Sequence, residues 1–524
     1  MPPQATGGGI NVDTKNKIAG ILMTSFAATA GILYGYDTGV ISGLKEMPDW
    51  LRTFGHATGD PTAPYAISSS TESLVVSILS AGTFFGALAG APIGDWIGRR
   101  YGIIIGCCVF NIGVAMQTAS TAVPLFSAGR VFAGLGVGIV SCLVPMYQSE
   151  CAPKWIRGAI VACYQWAITI GLLVAAIVNN ATKDMDSHAA YRIPIGIQFV
   201  FAFVLSVGML LLPESPRWLI KTDKFDDAAQ SLSRLTGLSA DDSVLQGEIA
   251  EIRANLEAEL ALGETSYLDC FRPTQNKILL RTLTGIFIQA WQQLTGINFI
   301  FYYGTTFFKQ AGITNPFIIT IATNVVNVGM TVPGIYGVER FGRRVLLLWG
   351  AVGMTVCEFI VAIVGATVSD DNMAGQRVLI AFVCIYIGFF ASTWGPGAWI
   401  VCGEIFPLAI RAKAMSMATA SNWLWNFGIG YATPYLVNDE PGSAGLGSNV
   451  FFIWGSTCLC CIIFTLFCTK GLSLEEIDLM YQHTWPMQSL KYRKQLEEAD
   501  TVVAKQYGSD KDGQDTPTDL KEFA

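Results

Sequence analysis

Asp95-Trp96-Ile97-Gly98-Arg99-Arg100 in the first half of the chain is answered in the second by Glu339-Arg340-Phe341-Gly342-Arg343-Arg344. In each, an acid precedes a glycine and paired arginines follow it. A second spacing repeats alongside. Glu150 precedes Arg157 by seven residues, and Glu404 precedes Arg411 by the same seven. A loop that merely collects arginines explains neither the acids nor the equal spacing. Repeated polar detail at matching places marks an internal duplication.

Working outward, the motifs lie between long apolar runs. Crossing a hydrocarbon core takes about 20 apolar residues. Twelve such runs are present, near 18–44, 70–93, 101–120, 125–148, 158–181, 193–213, 279–308, 315–338, 345–368, 378–403, 413–437 and 447–468. Six precede the polar connection and six follow it. The composition agrees: 52% of the 524 residues are hydrophobic and 14% charged, against about 25% charged in an ordinary soluble domain. The mean hydropathy is +0.44. The chain therefore reads as an all-α integral membrane protein of twelve transmembrane helices in two six-helix bundles, with the lipid bilayer as solvent. The expected division is a tail 1–17, a first bundle 18–213, a helical linker 214–278, a second bundle 279–468 and a tail 469–524.

Twelve spans put both termini on one side, and basic residues choose the side. The termini and the connections on their side, counted with Arg281 and Lys413 at the adjoining span ends, hold 26 of the 33 Lys and Arg residues. The opposite connections hold Lys45, Arg52, Lys183, Arg192, Lys309 and Arg377, and Arg130 is embedded in span four. This bias predicts cytoplasmic termini. The net charge of −7, without a basic patch, excludes a nucleic-acid partner. The 13 cysteines lie mostly in apolar runs without ligand spacing, and His56, His188 and His483 are scattered. No metal or cofactor is expected. Nor is an enzyme, because no nucleophile–base pair or phosphate loop appears.

The motifs resemble those of sugar porters of the major facilitator superfamily, in the style of fungal hexose transporters. The resemblance covers about residues 18–480. It rests on Gly35-Tyr36-Asp37-Thr38-Gly39-Val40-Ile41-Ser42-Gly43, Gly129-Arg130, Pro213-Glu214-Ser215-Pro216-Arg217-Trp218, Gln292-Gln293-Leu294-Thr295-Gly296-Ile297-Asn298 and Thr469-Lys470-Gly471-Leu472-Ser473-Leu474-Glu475. One departure stands out: the family's Pro-Glu before Thr-Lys-Gly is Phe467-Cys468 here. The resemblance implies a monosaccharide carrier of the plasma membrane that rocks two bundles around a site near the bilayer midplane.

A sugar ring needs neutral amides for its hydroxyls and an aromatic platform for its apolar face. Amides inside spans mark such a cavity, since lipid-facing ones are costly. The resemblance selects Gln165, Gln292, Gln293, Asn298, Asn327 and Trp399 as sugar contacts, with Asn422 and Trp423 near them. Gln289, Asn324 and Asn426 divide between this role and interhelical bonding. On an unbroken helix Asn298 lies about 140° from Gln293. Both reach one site only if span seven bends, and Gly296 and Gly304 each permit it. The family's seventh helix is interrupted, and its outer part, here with Tyr302 and Tyr303, implies an extracellular gate. A further bend is expected at Gly395-Pro396-Gly397.

Asp37 and Arg130 are charges deep within spans and so are expected to pair. In proton-coupled members of the family these positions form the proton switch. Yeast hexose facilitators also carry the aspartate, so a permanent salt bridge stays open beside symport. Glu358, midway along span nine, has no role in this reading. The motif residues Asp95, Arg99, Arg100, Glu150, Arg157, Glu214 and Arg217 are expected to form a cytoplasmic latch in one half. Glu339, Arg343, Arg344, Glu404 and Arg411 serve the other. A second class of function, a transporter-like glucose sensor, is set apart by the longer C-terminal extension such sensors carry.

Overall fold

The computed structural model describes residues 14–59, 64–153, 156–260, 266–274, 277–310, 315–368, 372–407, 410–438 and 442–465. Span one runs as Thr14–Phe26, tightens into a 3-10 turn at Ala27–Thr29, and continues as Ala30–Leu44. Spans two to six are Ser69–Ile97, Arg99–Ala119, Val123–Cys151, Arg157–Thr182 and Ala189–Leu211. The linker forms the helices Pro216–Lys221, Phe225–Thr236 and Ser243–Leu260 and a 3-10 turn at Tyr267–Phe271. Span seven is two helices, Ile278–Leu294 and Ile297–Gln310. Spans eight and nine are Pro316–Phe341 and Arg343–Thr367. Span ten is again two, Met373–Ser392 and Trp394–Ile405, followed by span eleven, Arg411–Val437, and span twelve, Val450–Thr465.

Among the described residues, nine helices are long and apolar enough to cross a bilayer unaided. The exceptions among the twelve expected runs have identifiable causes. The 3-10 turn divides span one, and Thr295-Gly296 divides span seven. Span eleven is continuous but buries Ser416, Thr419, Asn422, Asn426 and Thr433, which lower its hydropathy. Its polar side faces protein rather than lipid, the only place a bundle tolerates such residues.

The duplicated motifs fold alike. Gly98 (φ 95, ψ 164) joins spans two and three, and Gly342 (φ 79, ψ 157) joins spans eight and nine. Both φ values lie where glycine alone is unstrained. A Cβ on Gly98 would also come within 2.3 Å of Glu214 Oε2. These turns define one end of the molecule, called here the motif face.

The bundles meet along spans two and eleven, spans five and eight, and span one with the second helix of span seven. Within the first bundle the backbones of spans one and five touch. A Cβ on Gly35 would lie 1.9 Å from the Ile168 carbonyl oxygen. Large apolar side chains such as Phe85, Phe203, Leu211, Trp349 and Ile363 point outward, as lipid-facing positions do. The linker packs Trp218, Ala228, Leu232, Leu245, Ile249 and Leu256 into its own small core. Leu235 of the same linker joins the main core instead, its carbonyl against Gly20 of span one.

Candidate functional site

A cavity lies between the bundles. Span one lends it Tyr34 and Thr38, span five Gln165, span seven Gln292, Gln293, Asn298 and Phe301, and span ten Phe390 and Trp399. Trp399 is held edge-to-face by Tyr164, with ring centroids 5.4 Å apart. It presents a flat apolar wall beside a cluster of amides, the pairing a polyhydroxylated ring requires.

The cluster is a continuous hydrogen-bond network, so each amide is oriented by the next. Asn422 Nδ2 donates to Gln289 Oε1 at 2.7 Å and to Gln292 Oε1 at 2.8 Å. Gln293 Nε2 donates to Asn422 Oδ1 at 2.9 Å. Gln293 Oε1 accepts from Asn298 and, at 3.3 Å, from Asn426. Gln292 Nε2 donates to the carbonyls of Trp394 and Gly395 at 3.1 and 2.8 Å. Gln289, Asn422 and Asn426 thus belong to the network without lining the cavity. Trp423 stands behind it, its indole N–H 3.1 Å from Ser141 Oγ of the other bundle.

Asn327 departs from the expectation. It is buried on span eight, neither amide atom is hydrogen-bonded, and it is not among the cavity-lining residues. Asn324, on the same span, lines a second cavity with Ser42 and Phe308. Tyr34 and Thr38, four residues apart on one face of span one, carry no mark in the composition; only the approach of span one to span seven shows them.

The break in span seven is what brings Gln293 and Asn298 together. Gly296 has φ +80, and a Cβ there would meet Trp454 Cγ at 2.5 Å. Gly304 lies within regular helix. In span ten the interruption falls at Thr393, and Gly395-Pro396-Gly397 forms the first turn of the restarted helix. There Pro396 lacks only an N–H that a helix start leaves unpaired.

Asp37 and Arg130 face each other beside this cavity, both 0% exposed, with Oδ1 and Nη1 3.8 Å apart. Neither carboxyl oxygen and none of the guanidinium nitrogens makes a hydrogen bond within the described residues. Gln198 of span six adjoins the carboxyl, and the Arg130 charge reaches Tyr302 and Tyr303. Nothing in the apolar pattern of span six singled out Gln198.

The face opposite the motifs is closed over the cavity. Tyr302 donates to Asn426 Oδ1 at 2.9 Å, and Tyr303 to the Gly430 carbonyl at 2.6 Å. Lys45 Nζ sits 3.8 Å from the Tyr303 ring centroid and 2.5 Å from Glu72 Oε1. Glu46 takes Lys309 at 2.9 Å and Thr306 at 2.5 Å, and Asn438 donates to Ser69 and Glu72 at 3.0 and 3.3 Å. Every one of these contacts except Lys45–Glu72 joins the two bundles or span seven to span eleven.

At the motif face the two halves carry the same device. Arg99 forks onto Glu150 at 3.0 and 3.1 Å, and Arg343 onto Glu404 at 3.0 and 2.6 Å. Arg99 also reaches Asp95 at 3.1 Å, and Lys221 of the linker reaches Asp95 at 3.2 Å. Glu214 sits on the start of span three, accepting the N–H groups of Arg99 at 3.0 Å, Arg100 at 3.1 Å and Ser215 at 2.8 Å. Burial pushes its carboxyl above the ordinary range, against the pull of those backbone donors. Arg100 turns its guanidinium to the Leu212 carbonyl at 3.1 Å. Arg157 and Arg411 open spans five and eleven, both buried, and Arg411 donates to the Phe406 carbonyl at 3.1 Å. Arg344 follows Arg343 in the first turn of span nine. Arg217 makes no ion pair within the described residues, because the helix Pro216–Lys221 turns Trp218 and Lys221 toward Asp95 instead. The Glu339 side chain and the Thr469–Glu475 motif lie outside the described residues.

This fold and this central site define a two-bundle secondary transporter of the major facilitator superfamily. Residues 23–481 match the family described as Sugar (and other) transporter, and the chain belongs to that family. It is 52% identical over 473 residues to the major facilitator-type transporter ecdD of Aspergillus rugulosus, covering 88% of this chain and 87% of that protein. The probable glucose transporter rco-3 of Neurospora crassa is 47% identical over 478 residues, 89% of this chain and 80% of its own. The high glucose sensor RGT2 of Saccharomyces cerevisiae is 42% identical over 89% of this chain, which covers 61% of the sensor. Among solved structures, the proton:xylose symporter XylE bound to 6-bromo-6-deoxy-D-glucose matches with a TM-score of 0.77 and 27% identity, covering 89% of this chain and 100% of that one. The protein is a membrane sugar transporter, not an enzyme.

Proposed function

We propose that the chain carries glucose or a related hexose into the cell across the plasma membrane, by alternating access and in symport with a proton. The cavity amides and Trp399 hold the sugar. Tyr302 and Tyr303 open and close the extracellular side, and the paired Arg–Glu forks form the latch on the cytoplasmic side. The observation that carries the coupling is the Asp37–Arg130 pair, fully buried and in contact at 3.8 Å, yet without a hydrogen bond. Buried ion pairs hold firmly only when good geometry and further hydrogen bonds offset desolvation. This one has neither, so protonating Asp37 forfeits little and frees Arg130. The kinship with a proton:xylose symporter supports the same reading.

Labelled-glucose uptake tests it, in cells lacking their own hexose carriers, at acidic and neutral pH, with and without protonophore. Wild type is expected to accumulate sugar above the outside concentration, more so in acid, and to lose the gradient with protonophore. Asp37→Asn is expected to equilibrate sugar without accumulating it. Equilibration by wild type, indifferent to protonophore, would make the protein a facilitator with a structural Asp37–Arg130 bridge. The kinship with a glucose sensor favours a second reading, in which sugar binds and closes the gate without net transport. Binding without uptake, by protein confirmed at the surface, would select it.

A further inference from the structure

Glu358 of span nine is an acid that neither the cavity nor the charge pair uses. It is 1% exposed, and neither carboxyl oxygen has a hydrogen-bond partner. Facing it are the Tyr386 hydroxyl of span ten and the Cys458 thiol of span twelve, with Cys461 further along that helix and Cys357 beside it on its own. No cation faces it among the described residues.

The protons around it are already committed. Tyr386 gives its hydroxyl proton to the Thr295 carbonyl at 2.7 Å. Cys458 points its thiol at the same carbonyl from 3.8 Å, and Cys461 at the Trp291 carbonyl from 3.8 Å. A hydroxyl carries one proton, so Tyr386 turns only lone pairs toward Glu358. A carboxylate, which can only accept, would find no donor there and no water in the hydrocarbon region to replace one. A neutral carboxylic acid supplies the donor the site lacks.

What this chain of groups holds is the break in span seven. In a continuous helix the Phe299 N–H would bond the Thr295 carbonyl. Here it bonds the Gly296 carbonyl at 2.9 Å. The freed carbonyls are gripped from outside, Thr295 by Tyr386 and Leu294 by Thr457 Oγ1 at 2.5 Å. The Glu358 carboxyl lies beside the Tyr386 hydroxyl without a hydrogen bond in this conformation. We infer that Glu358 is a positioning residue for transport: as the neutral acid it is the group able to donate to that hydroxyl and so steady the carbonyl on which the gate half of span seven hinges. The role rests on the sugar-carrier reading, but the protonation state does not.

Two measurements on the full-length protein test this. In carrier-deficient cells, Glu358→Gln keeps an uncharged donor of the same length. It is expected to preserve the wild-type maximal rate, KM and pH profile. Glu358→Leu and Tyr386→Phe interrupt the chain, and each is expected to lower maximal uptake about fivefold at equal surface abundance while leaving KM within about twofold. Tyr386→Phe keeps the ring and guards against a folding failure of the leucine variant. Separately, infrared spectra of purified protein at mildly alkaline pH are expected to show the carbonyl stretch of a protonated carboxyl in wild type that Glu358→Gln lacks. A glutamine variant as slow as the leucine one, wild-type transport by both interrupted variants, or an unchanged carboxyl band would each overturn the proposal. Should wild type itself carry no sugar, the carrier reading fails and the infrared band still decides the state of Glu358.

Discussion

Gln293 ties three other amides into the network, giving one hydrogen bond to Asn422 and accepting from Asn298 and Asn426. Truncating it leaves buried amides without partners, at about 1–3 kcal/mol. Gln293→Ala is therefore expected to raise the KM for uptake about tenfold, since 1.4 kcal/mol is a factor of ten. Asn327→Ala is expected to change KM by less than about threefold, because that amide is buried, unpaired and away from the lining; removing an unsatisfied polar group costs little. Concentration-dependent initial rates check both. Resemblance and residue chemistry alone put the two amides in one class. What separates them is the rotation of span eight, which no amide records.

At the scale of the element, span seven rests on one glycine rather than two. Gly296 has φ +80 with Trp454 against it, whereas a Cβ on Gly304 would meet nothing nearer than Ile300 Cγ2 at 3.6 Å. Gly296→Ala forces an L-residue into left-handed backbone, costing at least about 1–2 kcal/mol before the clash with Trp454. It is expected to abolish uptake, while Gly304→Ala is expected to retain at least about half of it, helix interiors favouring Ala over Gly. Surface labelling beside transport assays separates carrier loss from loss of function. That some bend was needed is legible in the 100° step between helical residues. Which glycine supplies it depends on a tryptophan far along the chain.

Across the whole molecule, the two faces are held by different means. The motif face is stapled within each half, and Arg99–Glu150 is buried, with side-chain exposures of 4% and 0%. Removing one partner of such a pair costs about 3–5 kcal/mol. Glu150→Ala is accordingly expected to lower the thermal stability of purified protein by several degrees. The far face is closed by Lys45, Glu46, Glu72 and Asn438 around Tyr303. Glu72→Gln leaves the Lys45 ammonium buried without its counter-charge in the closed state only. The population is expected to shift toward an open outer gate by at least about tenfold, the equivalent of 1.4 kcal/mol. Faster reaction of an introduced Ser42→Cys with an impermeant maleimide, in the Glu72→Gln background, checks this shift; an unchanged rate refutes it.

The sequence by itself determined the duplication, the run of spans, the repeated glycine turns and the repeated seven-residue spacing of acid and arginine. These are one-dimensional properties, carried by hydropathy, local backbone preference and spacing. Glu150 and Glu404 each meet the first arginine after a glycine turn, Arg99 and Arg343, in the same way in both halves. Only the tertiary structure decided that span seven breaks at Gly296, that Asn327 stands apart from the cavity, that Glu214 seats on the start of span three, and that Lys45 and Glu72 help close the far face. Each of these depends on how helices distant in the chain are rotated against one another. That rotation is set by packing over the whole bundle, where shape complementarity between distant side chains outweighs any local preference.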